Sequence, residues 1–228
     1  GRFLKKYLIL FIAVLGIWSC GKEKTAEKSS GGNSETCAIS SEETKTEDVK
    51  VTVPKGEEIT VDGKEVTILN KRIKVGDKLE DAELISPVGE FNKMQKVKLS
   101  NDKGIKVIYT APSLDTPVCS LQTKTLDSKA KEHSNVFFYS ITDDLPFAMT
   151  RFCSDNEIHN LKTLSDYQGH EFSSKNGFLM KEYQLLTRAI IIVDENDIVK
   201  YVDYGKEVTK ELDIDKAMNF LENDLLKK

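Results

Sequence analysis

The chain has 228 residues, with 33 Lys and Arg against 37 Asp and Glu, a formal net charge of −4. Such a length allows one ordinary domain with an extension, or two small domains, and the absence of a cationic excess argues against a nucleic-acid binder. A hydrophobic content of 39% supplies a packed core, while four Cys, at positions 20, 37, 119 and 153, are too few and too scattered for a disulfide-dense scaffold. No segment reaches the roughly 18 consecutive apolar residues that a membrane-spanning helix needs.

Residues 1–19 read as a secretory signal: Arg2, Lys5 and Lys6 are basic, residues 7–17 are apolar, and the small Ser19 follows. Cys20, followed by Gly21 and Lys22, resembles the lipobox of bacterial lipoproteins. The resemblance implies acylation of Cys20 and a place in the cell envelope, on the periplasmic side. An uncleaved leader or a cytoplasmic location is the alternative. Residues 20–48 are rich in Ser, Thr, Glu, Lys and Gly. They lack the apolar surface that offsets chain entropy, so a flexible tether is expected, with Cys37 an incidental thiol inside it. The folded part is expected over 49–228.

Ile59 and Val61, then Val66 and Ile68, alternate with polar residues around Asp62-Gly63, which predicts a β-hairpin with a two-residue turn. Residues 105–109 predict a strand, and residues 118–133 a helix. A second strand is expected at 136–141. Asp143 or Asp144 is expected to cap a following helix, with Pro146 in its first turn and Cys153 on it. Residues 189–193 are wholly apolar, as a strand buried on both faces should be. A turn at 194–197 leads to a partner strand at 198–202. Ile214, Ala217, Met218, Leu221 and Leu225 share one face of a final helix. Strands interleaved with helices point to an α/β, thioredoxin-like three-layer sandwich behind an N-terminal hairpin.

Cys119 falls at a strand-to-helix junction. Unpaired N–H groups and the positive dipole end there stabilise a thiolate. Thr116, three residues earlier, can cap the helix or donate to the sulfur. A buried, inert core Cys fits the same position. Cys153 lies 34 residues farther on, a spacing that one crossing of the sheet spans, so both Cys can reach the same end. Two independent core thiols fit that spacing equally. A disulfide needs a Cα–Cα distance of roughly 4.4–6.8 Å, so a helical Cys153 would have to unwind locally to join Cys119. His133, His159 and His170 share no metal-ligand spacing with each other or with the Cys. Of the Arg beyond Arg2, Arg188 precedes the buried strand and is expected at the reactive site. Arg151 is expected to cap or salt-bridge its own helix, with a contact to the reactive site as the alternative. Leu145, Phe147 and Phe152 are expected in the core.

Pro112-x-x-x-Thr116-x-x-Cys119 and Asp144-Leu-Pro-Phe-Ala-x-x-Arg151-Phe-Cys153, with Leu186-Thr187-Arg188-Ala189, closely resemble the bacterial thiol peroxidases, the atypical two-cysteine peroxiredoxins. The likeness spans about residues 50–227. Thr187 departs from the family's usual Ala, and the leader and tether are atypical. The resemblance implies a thiol-specific peroxidase acting on hydrogen peroxide and organic hydroperoxides. Cys119 would be peroxidatic and Cys153 resolving, joined in a transient disulfide. Thr116 would orient the sulfur, Arg188 stabilise its charge, and Pro112 shield it. A thioredoxin-like reductant would recycle the disulfide. The resemblance also implies a homodimer and no metal or organic cofactor. The rival reading is an envelope thiol–disulfide relay on the same fold, against which the missing Cys-x-x-Cys speaks. A non-catalytic binding lipoprotein is a third.

Overall fold

The computed structural model describes residues 58–227. The leader, the tether, Cys20, Cys37 and the first residues of the expected 49–228 domain lie outside the described residues.

β1 (Ile59–Val61) and β2 (Lys64–Val66) form the expected hairpin, with Val61 paired to Lys64. Asp62 and Gly63 both take positive φ, 50° and 74°, the handedness a two-residue turn requires to match strand twist. β3 (Leu84–Ile85) and β4 (Lys96–Val97) follow as short strands. β5 (Lys106–Thr110) leads into α1 (Pro117–Glu132), β6 (Phe137–Thr142) into α2 (Pro146–Asp155), and β7 (Lys162–Ser165) into α3 (Glu171–Asn176). β8 (Leu179–Met180) pairs with β9 (Leu185–Leu186), and β10 (Ala189–Val193) with β11 (Val199–Tyr204). The last helix, α4 (Ile214–Phe220), continues as a π-helical stretch, Leu221–Leu226.

The main sheet runs β11-β10-β5-β6-β7-β3-β4. β5, β6 and β7 are parallel, and β10 joins β5 antiparallel. Every residue of β5 and β10 is buried, and each Ile or Val so buried contributes about 1.5–3 kcal/mol. Lys106 is the charged exception in β5; its ammonium pairs with Asp197 at 2.8 Å. Successive strand residues alternate between two cores. Val107, Tyr109, Phe138, Ile190 and Ile192 face α1, α2 and α4, in the cluster that also holds Cys119 and Phe152. Ile108, Tyr139, Ile141, Ile191 and Val193 face the opposite core, with Phe172 of α3 and Ile73, Leu79 and Leu84. The parallel register sends α1 and α2 back from the same end of the sheet, so Cys119 and Cys153 lie over one face.

The hairpin has a small core of its own. Ile59, Val66 and Ile68 pack with Met180 and Val208. Backbone bonds between Thr60 and Lys206 and between Val208 and Thr60, both 2.8 Å, tie it to the chain after β11.

Candidate active site

Pro117 opens α1 at a position where a missing N–H costs nothing. Cys119 is its third helical residue, and its sulfur, 0% exposed, faces inward. Gln122, Thr123 and Leu126 continue that inward face. Arg188 reaches the same point from the residue before β10. Its Nη2 donates to Cys119 Sγ at 3.2 Å.

A chain of contacts holds that guanidinium. Nε donates to the Val208 carbonyl at 2.8 Å. Nη1 donates to the Tyr109 hydroxyl. The hydroxyl in turn donates to Gln122 Oε1 at 3.1 Å, and Gln122 Nε2 donates to the Leu212 carbonyl at 2.7 Å. Burial drives the Tyr109 phenol far above its ordinary pKa despite the neighbouring Arg188. It therefore stays protonated and keeps donating to Gln122. Sequence reasoning missed Tyr109 and Gln122. The available signal was Gln122 itself, a polar residue three positions from Cys119 on the core-facing stripe of α1.

Thr116 occupies the N-cap position of α1, but its side chain does not cap. The hydroxyl donates to the Ser113 carbonyl at 3.1 Å instead of reaching an N–H of α1 or the sulfur. Thr116 and Pro112 both line a cavity of about 310 Å³, whose walls include Val61, Met180, Leu185 and Arg188. Cys119 is not part of that lining, but Arg188, which donates to its sulfur, is.

Asp143 and Asp144 do not cap α2 either; Leu145 is its N-cap residue. Other donors have drawn both carboxylates away. Asp144 accepts from Ser113 Oγ and the Leu114 N–H, both at 2.6 Å, and from Thr142 Oγ1 at 2.7 Å. It thus fastens the loop before Cys119 to the loop before the Cys153 helix. Asp143 accepts from the Leu186 N–H at 3.1 Å and contacts His170 at 3.0 Å, steadying the segment that carries Arg188. Burial pushes the Asp143 carboxyl up to about 7, against the pull of His170.

Asp143, Asp166 and His170 bring one potential ligand atom each within 4.8 Å of one another. The Asp166 carboxylate already accepts the N–H groups of Phe172 and Ser173, at 3.0 and 2.8 Å. The cluster thus serves as an anchor for α3 as it stands.

Cys153 lies in the last turn of α2, half-buried, against the cluster that contains Cys119. Both are free thiols. The Cys153 sulfur lies 3.2 Å from Thr163 Oγ1. Burial raises its pKa, with Asp127 adding to the effect and Thr163 opposing it, so the group rests as a neutral thiol. Asp127 of α1 accepts three consecutive N–H groups, from His159, Asn160 and Leu161, and so pins the chain just after α2. Arg151 is exposed and makes no ion pair with another described residue, contrary to the expectation of a pair within its helix. Leu145, expected in the core, is 53% exposed. Phe152 is buried, and Phe147 stacks edge-on against Phe91.

Glu207 was not foreseen, and no sequence pattern marks it. Its carboxylate accepts from the N–H groups of Asp62 and Gly63, both at 3.0 Å, and from Thr60 Oγ1 at 2.8 Å and Thr209 Oγ1 at 2.7 Å. Burial pushes this carboxyl up, but the hydrogen bonds outweigh it and hold the pKa at about 2. The neighbouring Val208 carbonyl is the one that receives Arg188, so one short segment fixes both the hairpin and the guanidinium.

The Redoxin family profile matches residues 74–220. The thiol peroxidase of Clostridium acetobutylicum is 40% identical over 147 residues, covering 64% of this chain and 87% of that protein. The thiol peroxidase of Oceanobacillus iheyensis is 39% identical over 164 residues, covering 72% of this chain and 97% of that one. Among solved structures, a peroxiredoxin-like protein from Aquifex aeolicus superposes with a TM-score of 0.66 at 29% identity, covering 73% of this chain and 96% of that chain.

Proposed function

The chain belongs to the Redoxin family and is a peroxide-reducing thiol peroxidase, and from that premise we propose that Cys119 is its peroxidatic sulfur and Cys153 its resolving sulfur. The observation that carries the proposal is the 3.2 Å contact between a fully buried Cys119 Sγ and a guanidinium fixed from three sides. The contact sets a fixed positive charge directly against the sulfur that attacks.

The Cys119 thiolate attacks one oxygen of the hydroperoxide. An S–O bond forms, the O–O bond breaks, and the electron pair leaves on the other oxygen, which departs protonated as water or an alcohol. Arg188, already aimed at the sulfur, stabilises charge on the departing oxygen without reorganising. Pro112 and Thr116 wall the approach, and Thr116 orients it through the loop that its hydroxyl braces. The Cys153 thiol then attacks the sulfenic sulfur, forming the Cys119–Cys153 disulfide and releasing water. A thioredoxin-like dithiol returns both sulfurs to thiols by exchange. None of these steps calls for a metal or an organic cofactor.

The apolar cavity walls, Val61, Met180, Leu185 and Val208, suit the alkyl body of an organic hydroperoxide as well as hydrogen peroxide itself. Stopped-flow mixing with either peroxide tests the assignment. Cys119→Ser abolishes the rapid reaction. Cys153→Ser reacts once and then stalls in the presence of thioredoxin, its reductase and NADPH. Rapid reaction in the first variant, or sustained turnover in the second, overturns the corresponding role.

Two further readings belong with this one. The basic, apolar and Cys20-terminated order of residues 1–20 supports an envelope location with a lipid anchor; mass spectrometry of the mature N-terminus reads it directly. Phe91, 79% exposed and stacked on Phe147, together with the exposed Leu145, forms an apolar patch suited to a second copy of the chain. Sedimentation equilibrium tests that homodimer.

A further inference from the structure

We propose that Thr163 is a positioning residue that sets the redox poise of the peroxidase: its hydroxyl binds the Cys153 sulfur only in the dithiol state, and so keeps the Cys119–Cys153 disulfide easy to reduce. The proposal rests on the resolving role of Cys153.

Thr163 belongs to β7 and is 3% exposed. Leu164 turns to the α3 side of the sheet, which turns Thr163 to the side of α1 and α2. There its Oγ1 lies 3.2 Å from Cys153 Sγ, the one hydrogen bond this hydroxyl makes among the described residues. The neighbour across the ladder is already engaged. Ser140 sits opposite Thr163 in the parallel register of β6 and β7. Its Oγ is paired with Thr123 Oγ1 of α1 at 3.1 Å, and both residues are fully buried.

Forming the disulfide removes the Thr163 bond. Arg188, just before β10, holds the Cys119 sulfur, whereas Thr163 of β7 holds that of Cys153. The strand order is β10-β5-β6-β7, so β5, which leads to Cys119, and β7 are two spacings apart. Two spacings come to roughly 9–10 Å, against a bonding distance of about 2 Å between sulfurs. The sulfur that travels is Cys153, in the last turn of α2. Thr163 cannot follow it. The ladder fixes β7 to β6, and Asp127 pins residues 159–161 just before the strand. A disulfide sulfur, moreover, has no proton to donate. The hydroxyl is then left without its protein partner in a place nearly closed to water, which disfavours the state that leaves it so.

The redox change is a balanced exchange. Cys119 and Cys153 give up two electrons and two protons as their S–S bond forms. The disulfide of a dithiol partner takes them up as its own S–S bond breaks. A contact made on one side of this equilibrium shifts its constant toward that side. The Thr163 bond belongs to the dithiol side, so it raises the potential of the couple.

Thr163→Val keeps the branched shape and removes the hydroxyl, whereas Thr163→Ser keeps the hydroxyl. Each full-length variant and the wild type are equilibrated with mixtures of reduced and oxidised bacterial thioredoxin and quenched by alkylation. Mass spectrometry of the Cys119 and Cys153 peptides then gives the dithiol and disulfide fractions. The equilibrium of Thr163→Val is expected to lie about threefold to tenfold further toward the disulfide, a fall in potential of up to ~30 mV. Thr163→Ser is expected to match the wild type. An unchanged potential in Thr163→Val overturns the proposal, and so does a shift toward the dithiol. An equal shift in Thr163→Ser also overturns it, by assigning the effect to packing. Wild-type protein that forms no Cys119–Cys153 disulfide after peroxide overturns the resolving role itself.

Discussion

Cys119 stands in the first turn of a 16-residue helix, fully buried, beside a guanidinium bonded to Val208, Tyr109 and the sulfur itself. Cys153 stands in the last turn of a 10-residue helix, half-buried, touching a threonine hydroxyl and opening on a cavity. A ten-residue helix has little stability of its own and depends on what it packs against. The contrast matches the two roles proposed for these sulfurs. Attack on an O–O bond gains from charge fixed in advance. Disulfide formation needs a sulfur that can travel, and the last turn of α2 breaks only a few bonds in travelling, such as those from Asn156 to Phe152 and from Ile158 to Cys153. Asp127 pins residues 159–161, so the movement stays local.

Four substitutions break or sharpen this contrast. Arg188→Lys attacks the rigid end most directly, because an ammonium cannot span three partners at once. The second-order rate with peroxide is expected to fall about 10²–10³-fold in stopped-flow measurements. Asp144→Asn loosens the link between the two ends. Weakening a carboxylate that accepts three hydrogen bonds is expected to lower stability by roughly 1.5–3 kcal/mol in denaturant unfolding. Retained stability would show that the two cysteine loops are held independently.

Glu207→Gln has a pH signature. The folded-state pKa of Glu207, about 2, lies below its ordinary value of 4.5. The unfolded chain therefore binds more protons between those limits. The stabilisation is present above pH 4.5 and disappears as pH falls toward 2. Unfolding measured across that window is expected to show a shallower slope in the variant, and an identical slope would refute the clamp. The smallest effect is at Thr187, fully buried with no partner for its hydroxyl. Thr187→Val keeps the shape and removes the unsatisfied group, with an expected gain of about 1 kcal/mol and no change in peroxide kinetics.

Much of this architecture was legible in the sequence where a strong period met a clear punctuation mark. Asp62-Gly63 between alternating strands announced the hairpin, and the apolar run at 189–193 announced β10. The position of Cys119 followed from strand, proline and helix in succession. β3, β4, β8 and β9, at two residues each, are too short to carry a period. Asp143 and Asp144 misled because a cap is a local preference, and the donors that won them, Leu186 N–H and Ser113 with Leu114 N–H, come from distant parts of the chain. Arg188 was visible beside its buried strand, but its partners Tyr109, Gln122 and Val208 meet only through the fold.

The hairpin that supplies Val61 to the cavity beside Arg188 has its own small core and is fastened by a few backbone bonds and one carboxylate. It is therefore a replaceable part. Grafting hairpins with larger or smaller residues at position 61, while keeping Thr60 and the Asp62-Gly63 turn, offers a route to retune which hydroperoxides are accepted without disturbing the reactive sulfur.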